Sequence, residues 1–148
     1  MAVAERTASI IWEGDVQDGS GTVTLESSGA AGDLPISLPT RTESPEGQTS
    51  PEELLAAAHA GCYAMALSLT LTEAGTPPER LDATAVATLD ESGDGYAVTT
   101  VDLSVRGRVP DLDQKKFEKA AKEAEEACPI SNAIRGNVTI NLEATLEQ

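Results

Sequence analysis

Two cysteines, Cys62 and Cys128, are the side chains of this 148-residue chain that are best suited to covalent chemistry. The sequence has no other cysteine, and its one histidine, His59, stands three positions before Cys62. A thiolate can attack an electrophile, bind a metal ion or enter a disulfide. The wide separation of the two cysteines excludes a thioredoxin-type pair, in which both lie on one helical turn. The spacing leaves open whether the two sulfur atoms meet.

The surroundings of each cysteine favour different uses. Cys62 lies in a stretch without charged residues, and an isolated cysteine in an apolar helix is usually a small buried hydrophobe. Cys128 directly precedes Pro129, which suits the first position of a helix, and the free N–H groups there would favour a thiolate. His59 lies on the same side of a helix as Cys62 and could tune its thiolate or accept a proton. A histidine satisfied by the core is the commoner arrangement, so we leave His59 outside the catalytic set.

Composition excludes several classes of function. The chain has 25 Asp and Glu against 10 Lys and Arg, a formal charge of −15, which repels phosphate backbones and anionic lipids. We therefore expect no nucleic-acid partner and no membrane partner. Two cysteines and one histidine cannot complete a four-ligand structural zinc site without carboxylates or a second chain, so we predict no metal site. We also expect no bound cofactor.

The N-terminal residues bear on the cellular location. They lack the basic region followed by an apolar stretch that marks a signal peptide, so we expect a cytoplasmic protein. In a reducing compartment, a permanent structural disulfide between the two cysteines is the less expected use.

The element that carries Cys62 is predicted to be a long helix. Residues 50–53 (SPEE) form a capping box, and the helix should run from Pro51 to about Ala74, where Gly75 stops it. Its length would span a bilayer, but alanine dominates and acidic residues flank it, so we reject a transmembrane span and predict a buried helix. At ~1.5 Å per residue it is roughly 36 Å long, which a chain of this size does not easily wrap. We therefore predict a homodimer with this helix at or near the interface, the alternative being a helix fully enclosed by its own chain.

The rest of the chain alternates strands and helices. We predict strands over residues 9–12 and 21–27, a long partly structured loop over 28–49, a hairpin of strands 81–89 and 96–109, helices over 113–127 and 129–134, and a final strand over 138–146. The helix over 113–127 should bury Phe117, Ala120, Ala121 and Ala124, and Trp12 should pack in the core. This order predicts one α+β domain over residues 1–148 with mainly antiparallel sheets.

Several motifs resemble a known family. Residues 49–68 (TSPEELLAAAHAGCYAMALS) are similar to the first cysteine motif of the osmotically inducible protein C (OsmC) family, and residues 128–131 (CPIS) resemble its second. Residues 12–15 (WEGD), 21–23 (GTV), 66–69 (ALSL) and 73–75 (EAG) look similar as well, so the resemblance extends over nearly the whole chain. His59 before the cysteine resembles the OsmC branch more than its sister group, the organic hydroperoxide resistance proteins.

The resemblance implies a fold, an activity and a set of site residues. The expected fold is an intertwined homodimer in which antiparallel sheets pack around long central helices, with two active sites near the dimer interface. The expected activity is a thiol-dependent peroxidase that reduces organic hydroperoxides, and less well hydrogen peroxide, with an external dithiol such as a lipoylated protein as reductant. Cys62 would be the peroxidatic cysteine, Cys128 its resolving partner in a disulfide, and Arg41 and Glu52 an assisting pair.

The sequence departs from the family pattern in three places. Gly61 precedes the cysteine where alanine is common, Tyr63 follows it where phenylalanine is usual, and Thr42 follows Arg41 where an aromatic residue is often found. We expect the last two departures to alter the apolar lining of a peroxide pocket.

Two physical constraints bear on the expected site. Burial raises the pKa of a thiol, so Cys62 needs a nearby cation, and Arg41 is the only basic residue between Arg6 and Arg80. Glu52 lies ten residues, roughly 15 Å, from Cys62 along a continuous helix, so the two cannot share one site within one chain. Either Glu52 comes from an antiparallel partner helix, which we favour, or Arg41 bridges much of the gap.

Two other functions remain as hypotheses. A general thiol–disulfide oxidoreductase would react with protein disulfides as readily as with a hydroperoxide. A redox-sensing or apolar-ligand-binding dimer would oxidise Cys62 without sustained turnover by any dithiol.

Overall fold

The computed structural model describes residues 1–147, which fall into two compact units, one over Met1–Pro51 and one that begins at Glu52. Each unit contains a three-stranded sheet, so both helices and strands contribute to the fold and the predicted α+β class is confirmed. That the two units form one domain over residues 1–148 stays a prediction.

The first unit is a small antiparallel sheet followed by one turn of helix. Its strands are β1 (Ser9–Glu13), β2 (Ser20–Thr24) and β3 (Leu34–Ile36), in the order β1-β2-β3, and the helix is α1 (Leu38–Thr42). Ser37 caps α1, because its side chain accepts a hydrogen bond from the Thr40 backbone N–H at 3.3 Å. The short strand and helix lie within the segment that we predicted to be a partly structured loop.

Trp12 does not pack in the core, so that prediction is wrong. It lies on β1, an edge strand of the first sheet, and every residue of this strand is exposed, with 39% of Trp12 accessible. An alternation of polar and apolar residues identifies a strand, but it does not say which strand ends at a sheet edge. Ile10 and Ile11 of the same strand are more exposed still.

The second unit is built from a long helix, a sheet and two further helices. They are α2 (Pro51–Glu73), β4 (Arg80–Ser92), β5 (Gly95–Arg108), α3 (Gln114–Ala127), α4 (Pro129–Ile134) and β6 (Thr139–Leu146), with α2 beginning at the last residue of the first unit. The predicted hairpin of β4 and β5 is confirmed as an antiparallel pair. β6 pairs with β5 in parallel instead, because the chain crosses over through α3 and α4 before it returns to the sheet.

One face of α2 forms the core of the second unit. Residues at four-residue spacing, His59, Tyr63, Leu67 and Leu71, are at most 1% exposed. Alternate residues of β5 and the predicted stripe of α3 are buried in the same cluster as the apolar members of this face: Val101, Leu103, Val105, Phe117, Ala120, Ala121 and Ala124. Burying a large apolar side chain stabilises a fold by about 1.5–3 kcal/mol, so this cluster holds α2 against the sheet and α3.

The opposite face of α2 is apolar and exposed. This open face consists of Ala57, Ala58, Gly61, Met65 and Leu69, with Met65 75% and Leu69 59% accessible. By length and composition alone, α2 is apolar enough to cross a membrane, with a mean hydropathy of 1.5. Only 22% of that apolar stretch is buried within the chain, so the predicted burial of the whole helix is not achieved by one chain. The predicted helix end is confirmed, because Gly75 follows α2 with a φ of 83°.

Replacing Gly107 with valine should destabilise the second unit by about 1–3 kcal/mol, because the new side chain would overfill the core. A Cβ atom at Gly107 would lie 2.5 Å from Cζ of the buried Phe117 ring, and a ring cannot give way as a flexible chain end can. Gly95→Val on the same strand is the matched control, since a Cβ atom there meets nothing within 4 Å. Urea unfolding monitored by circular dichroism measures both, and equal losses for the two variants would contradict the packing described here.

Candidate active site

The structure brings the Cys62 and Cys128 thiols together. Cys62 lies in the middle of α2 and Cys128 lies at the junction of α3 and α4, and the two side chains are close enough for the Cys128 thiol to raise the pKa of Cys62. Neither is in a disulfide, and Cys62 is half-buried whereas Cys128 is completely buried. The pairing that the sequence spacing left open is therefore built into the second unit.

The position of Cys128 follows from the bend between α3 and α4. Pro129 at the start of α4 favours an extended residue before it, and Cys128 has φ −67° and ψ 118°. Its backbone is held on both sides, because its N–H donates to the Glu125 carbonyl at 3.3 Å and its carbonyl accepts from the Asn132 N–H at 3.0 Å. The predicted short helix from Pro129 to Ile134 is confirmed.

The environment of Cys62 within its own chain favours the neutral thiol. Burial raises its pKa, and the neighbouring Cys128 thiol raises it further. The Ile130 backbone lowers the pKa of Cys62 and opposes this rise only in part. A reactive thiolate at this position therefore requires a positive charge from elsewhere.

His59 is completely buried one helical turn before Cys62. Its Nε2 lies 2.6 Å from Oγ of Ser131, which is also completely buried. Burial lowers the pKa of His59, Arg135 lowers it further, and Glu125 acts in the opposite direction, so the ring is neutral at pH 7. Among residues 1–147, Nδ1 of His59 has no hydrogen-bond partner. The predicted arrangement, a histidine hydrogen-bonded within the core, therefore holds for Nε2 and not for Nδ1.

An ion pair between the ends of α3 and α4 was not predicted from the sequence. Nη1 of Arg135 lies 2.9 Å from Oε1 of Glu125, a close ion pair whose angles do not make a hydrogen bond, and the Glu125 side chain is nearly buried. Nη2 of Arg135 donates to the Glu125 backbone carbonyl at 3.1 Å and to Oδ1 of Asn132 at 3.2 Å. These contacts join the end of α3 to the end of α4. The only sequence signal was that Glu125 follows Ala121 by four residues, on the buried stripe of α3.

Arg41 and Glu52 lie in different units. Arg41 is in the last turn of α1, where it lines a cavity of about 190 Å³ in the first unit. The other lining residues are mostly apolar, and they are Trp12, Val16, Ile36, Ser37, Leu38 and Pro51. Glu52 is in the first turn of α2 and is buried. Because α2 is continuous from Pro51 to Glu73, Glu52 and Cys62 are separated by roughly 15 Å along its axis.

Three residues differ from their expected place in the site. Trp12 and Val16 were not predicted to be site residues, but both line the cavity beside Arg41. Tyr63 is a core residue and does not line this cavity, because it is completely buried and its hydroxyl donates to the Ala121 carbonyl at 3.0 Å. The part of the chain that the structure describes holds no cluster of three or more His, Cys, Asp or Glu placed to bind a metal ion.

Replacing His59 with glutamine should remove a stability loss at acid pH. An unfolded histidine has a pKa near 6.5, whereas burial lowers the pKa of His59 in the folded protein. As the pH falls below about 6.5, the unfolded chain therefore binds a proton that the folded chain rejects, and the wild type loses up to about 1.4 kcal/mol per pH unit until the folded pKa is reached. Glutamine does not titrate. We expect urea unfolding from pH 8 to pH 5 to show the free energy of unfolding of His59→Gln rising relative to that of the wild type. A difference in this free energy that stays constant with pH would contradict a neutral buried ring.

Comparison with known proteins places this arrangement in a family. A model of the OsmC-like protein family matches residues 44–143. The peroxiredoxin OsmC of Escherichia coli (strain K12) is 42% identical over 130 residues, which cover 88% of this chain and 90% of that protein. The organic hydroperoxide resistance protein OhrB of Bacillus subtilis (strain 168) is 32% identical over 111 residues, which cover 75% of this chain and 80% of that protein.

The fold agrees with a solved structure of a related protein. The organic hydroperoxide resistance protein OsmC of Legionella pneumophila superposes with a TM-score of 0.76 at 26% identity, covering 98% of this chain and 99% of that one. The family model spans well over half of the chain, and the E. coli relative covers nearly all of it. The sheets and the long helix are therefore those of the OsmC fold, and this chain belongs to the OsmC family.

Proposed function

We propose that this protein is a two-cysteine peroxidase that reduces organic hydroperoxides, and less well hydrogen peroxide, to the corresponding alcohols. The observation that carries the proposal is the pair of adjacent free thiols, one half-buried and one completely buried. The names of the relatives, peroxiredoxin and organic hydroperoxide resistance protein, support the cysteine-peroxidase class.

The two cysteines have different roles because they differ in exposure. Cys62 is half-buried and can meet a substrate, so it is the peroxidatic residue. Its thiolate attacks one peroxide oxygen, the O–O bond breaks, the alkoxide leaves and takes up a proton, and Cys62 becomes a sulfenic acid. The Cys128 thiol then attacks the Cys62 sulfur, and the sulfenic hydroxyl leaves as water with the thiol proton. Cys128 is completely buried, and it meets no substrate other than Cys62.

Activation of Cys62 is assigned to Arg41 and Glu52. Burial raises the pKa of Cys62, so a cation must favour the thiolate, and a guanidinium can also hold both peroxide oxygens by paired hydrogen bonds. Glu52 would orient that guanidinium. Since the continuous helix separates Glu52 from Cys62 by roughly 15 Å, we assign Glu52 to the site of a second chain.

A homodimer is supported by the apolar surface that one chain leaves exposed. The open face of α2 is free of charged side chains, and Met65 and Leu69 on it are more than half exposed. Cys62 follows Gly61 of this face, and a Cβ atom at Gly61 would meet nothing within 4 Å. Two such faces packed antiparallel would cover the apolar residues and bring the start of one helix towards the middle of the other.

The preference for organic hydroperoxides rests on the cavity beside Arg41. Its volume of about 190 Å³ exceeds what a hydrogen peroxide molecule needs, and its lining is mostly apolar. An alkyl group would gain from burial there while the peroxide oxygens face the guanidinium.

Turnover requires a reductant that the protein does not carry. We assign this role to an external dithiol, such as a lipoylated protein, which would reduce the Cys62–Cys128 disulfide and leave as a disulfide itself. No bound cofactor or metal enters this cycle. A cytoplasmic location, where dithiols are kept reduced, fits this chemistry.

Intact-mass measurement after one equivalent of cumene hydroperoxide should separate the roles of the two cysteines. The reduced parent should lose two hydrogens, because both thiols enter a disulfide. Cys128→Ser should gain one oxygen, because its sulfenic acid has no partner, and Cys62→Ser should show no fast change. A parent that does not react, or a Cys62→Ser variant that reacts equally fast, would refute the peroxidase and favour a redox-sensing or ligand-binding dimer. Faster reaction with a protein disulfide than with the hydroperoxide would favour a general oxidoreductase.

Mixing two inactive variants should restore activity if the site is composite. A Glu52→Gln chain keeps Cys62, and a Cys62→Ser chain keeps Glu52, so a dimer of the two contains one complete site only when the residues come from different chains. After co-refolding of equal amounts, we expect about a quarter of the wild-type rate, since half of the dimers are mixed and each has one site. A steady-state peroxidase assay with dihydrolipoamide measures the recovery.

A control for the mixing experiment disrupts the proposed dimer interface on the open face of α2. Met65→Glu in both chains places a charge on the open face of α2 and should abolish the recovery and yield monomers in analytical ultracentrifugation. Val86→Glu is the matched control, because Val86 is a comparably exposed apolar residue on β4. No recovery in dimers that are demonstrably mixed would mean that Glu52 acts within its own chain or not at all.

A further inference from the structure

Two matched pairs of side chains join α2 to the segment from Cys128 through α4. On α2, His59 and Cys62 are three residues apart and lie on the same side of the helix. On the other segment, Cys128 and Ser131 are also three residues apart. His59 meets Ser131 at 2.6 Å and Cys62 meets Cys128, so the pairs form two adjacent cross-links between the same two elements.

We propose that the buried His59–Ser131 hydrogen bond is the positioning device for the resolving step: it holds the Cys128 segment in register with α2, so that the Cys128 thiol stays within reach of Cys62. The proposal rests on the proposed function of the two cysteines. His59 and Ser131 are positioning residues in it, and neither touches the hydroperoxide.

The environment of this hydrogen bond makes it suited to fix a register. Both residues are completely buried, so water does not compete for either partner. The His59 ring is held neutral by burial, and Nδ1 has no hydrogen-bond partner among the described residues, so the contact with Ser131 is the one hydrogen bond that orients the ring there. Its loss would leave two buried polar groups unsatisfied, which penalises any shift of α4 along α2.

The other polar contacts of the Cys128 segment do not join α2 to α4 through unreactive atoms. The Glu125–Arg135 ion pair and the Arg135 contact with Asn132 join α3 to α4, and they would move with that pair of helices. The Ile130 backbone acts on the Cys62 thiol itself, and this interaction must change when the sulfur reacts. The His59–Ser131 bond therefore joins α2 to α4 through atoms that the chemistry leaves unaltered.

Register controls the resolving step because the step is intramolecular. The Cys128 sulfur must reach the Cys62 sulfur in line as the sulfenic hydroxyl leaves as water, and a displacement of about 1 Å can lower the rate of such a reaction by roughly 10²-fold. A delay has a second consequence. A second hydroperoxide molecule can oxidise the waiting sulfenic acid to the sulfinic acid, with release of a second alcohol.

Ser131→Ala should slow the resolving step and leave the first step unchanged. Stopped-flow mixing with cumene hydroperoxide followed by intact mass resolves the two steps: loss of the free Cys62 thiol should keep its wild-type rate, and disulfide formation should slow by about tenfold or more. With excess hydroperoxide, the fraction of Cys62 sulfinic acid should rise well above the wild-type level.

Two further variants distinguish positioning from stability. Tyr63→Phe is the matched control, because it also removes a buried hydrogen bond of α2, one that ends on α3 at the Ala121 carbonyl. It should lower stability and leave the resolving rate unchanged. His59→Gln should keep the wild-type rate of disulfide formation and the wild-type fraction of sulfinic acid, because its amide ends near the position of Nε2. The shorter side chain of His59→Asn does not reach that position, so this variant should behave as Ser131→Ala does. If Ser131→Ala does not fold, the Gln and Asn pair at His59 carries the same test.

Equilibrium with glutathione redox buffers makes the test independent of the hydroperoxide. Loss of the tether should lower the equilibrium constant for the Cys62–Cys128 disulfide about tenfold, whatever oxidant forms it. If the wild type forms this disulfide in glutathione but not with the hydroperoxide, the proposed function fails. The effect of the His59–Ser131 hydrogen bond on the disulfide equilibrium can still be measured in that case. Wild-type disulfide stability and an unchanged resolving rate in folded Ser131→Ala, or equal effects in Tyr63→Phe, would overturn the proposal.

Discussion

The burial of one face of α2 is the constraint on which the rest of the second unit depends. His59, Tyr63 and Leu67 turn inward at four-residue spacing, and this sets the rotation of the helix against β5 and α3. This rotation also fixes the direction of the Cys62 side chain, which lies beside the buried face, half-buried and next to Cys128. The position of the nucleophile therefore follows from the packing of its neighbours.

The same constraint explains why one chain makes an incomplete site. A helix of this length has more apolar surface than a single sheet and two short helices can cover, so its open face remains exposed. Among the described residues, burial raises the pKa of Cys62, and the Ile130 backbone opposes the rise only in part. The apolar face and the unactivated thiol lie on adjacent sides of one helix. A second chain could cover the apolar face and also supply charged groups that favour the Cys62 thiolate.

Buried polar groups in this protein are concentrated around the Cys128 segment. His59, Glu125 and Ser131 are all buried, and each contacts or flanks the turn between α3 and α4. Buried polar contacts are directional, and they specify one arrangement where apolar contacts would allow several. For a cysteine that must reach a second sulfur, such directional contacts are of more use than additional apolar packing.

The sequence by itself determined the family and the elements other than β3 and α1. The helix ends at Glu73 and Ile134, the buried stripe around Phe117 and the motifs around both cysteines follow from local periodicity, proline and glycine, which act within a few residues. Tertiary structure decided which distant residues meet. The Cys62–Cys128 pair, the His59–Ser131 bond, the parallel β6 and the exposure of Trp12 on an edge strand each depend on a crossover or a sheet order. Those depend on how hydrophobic faces are shared among all elements at once, and no local stretch of sequence contains that information.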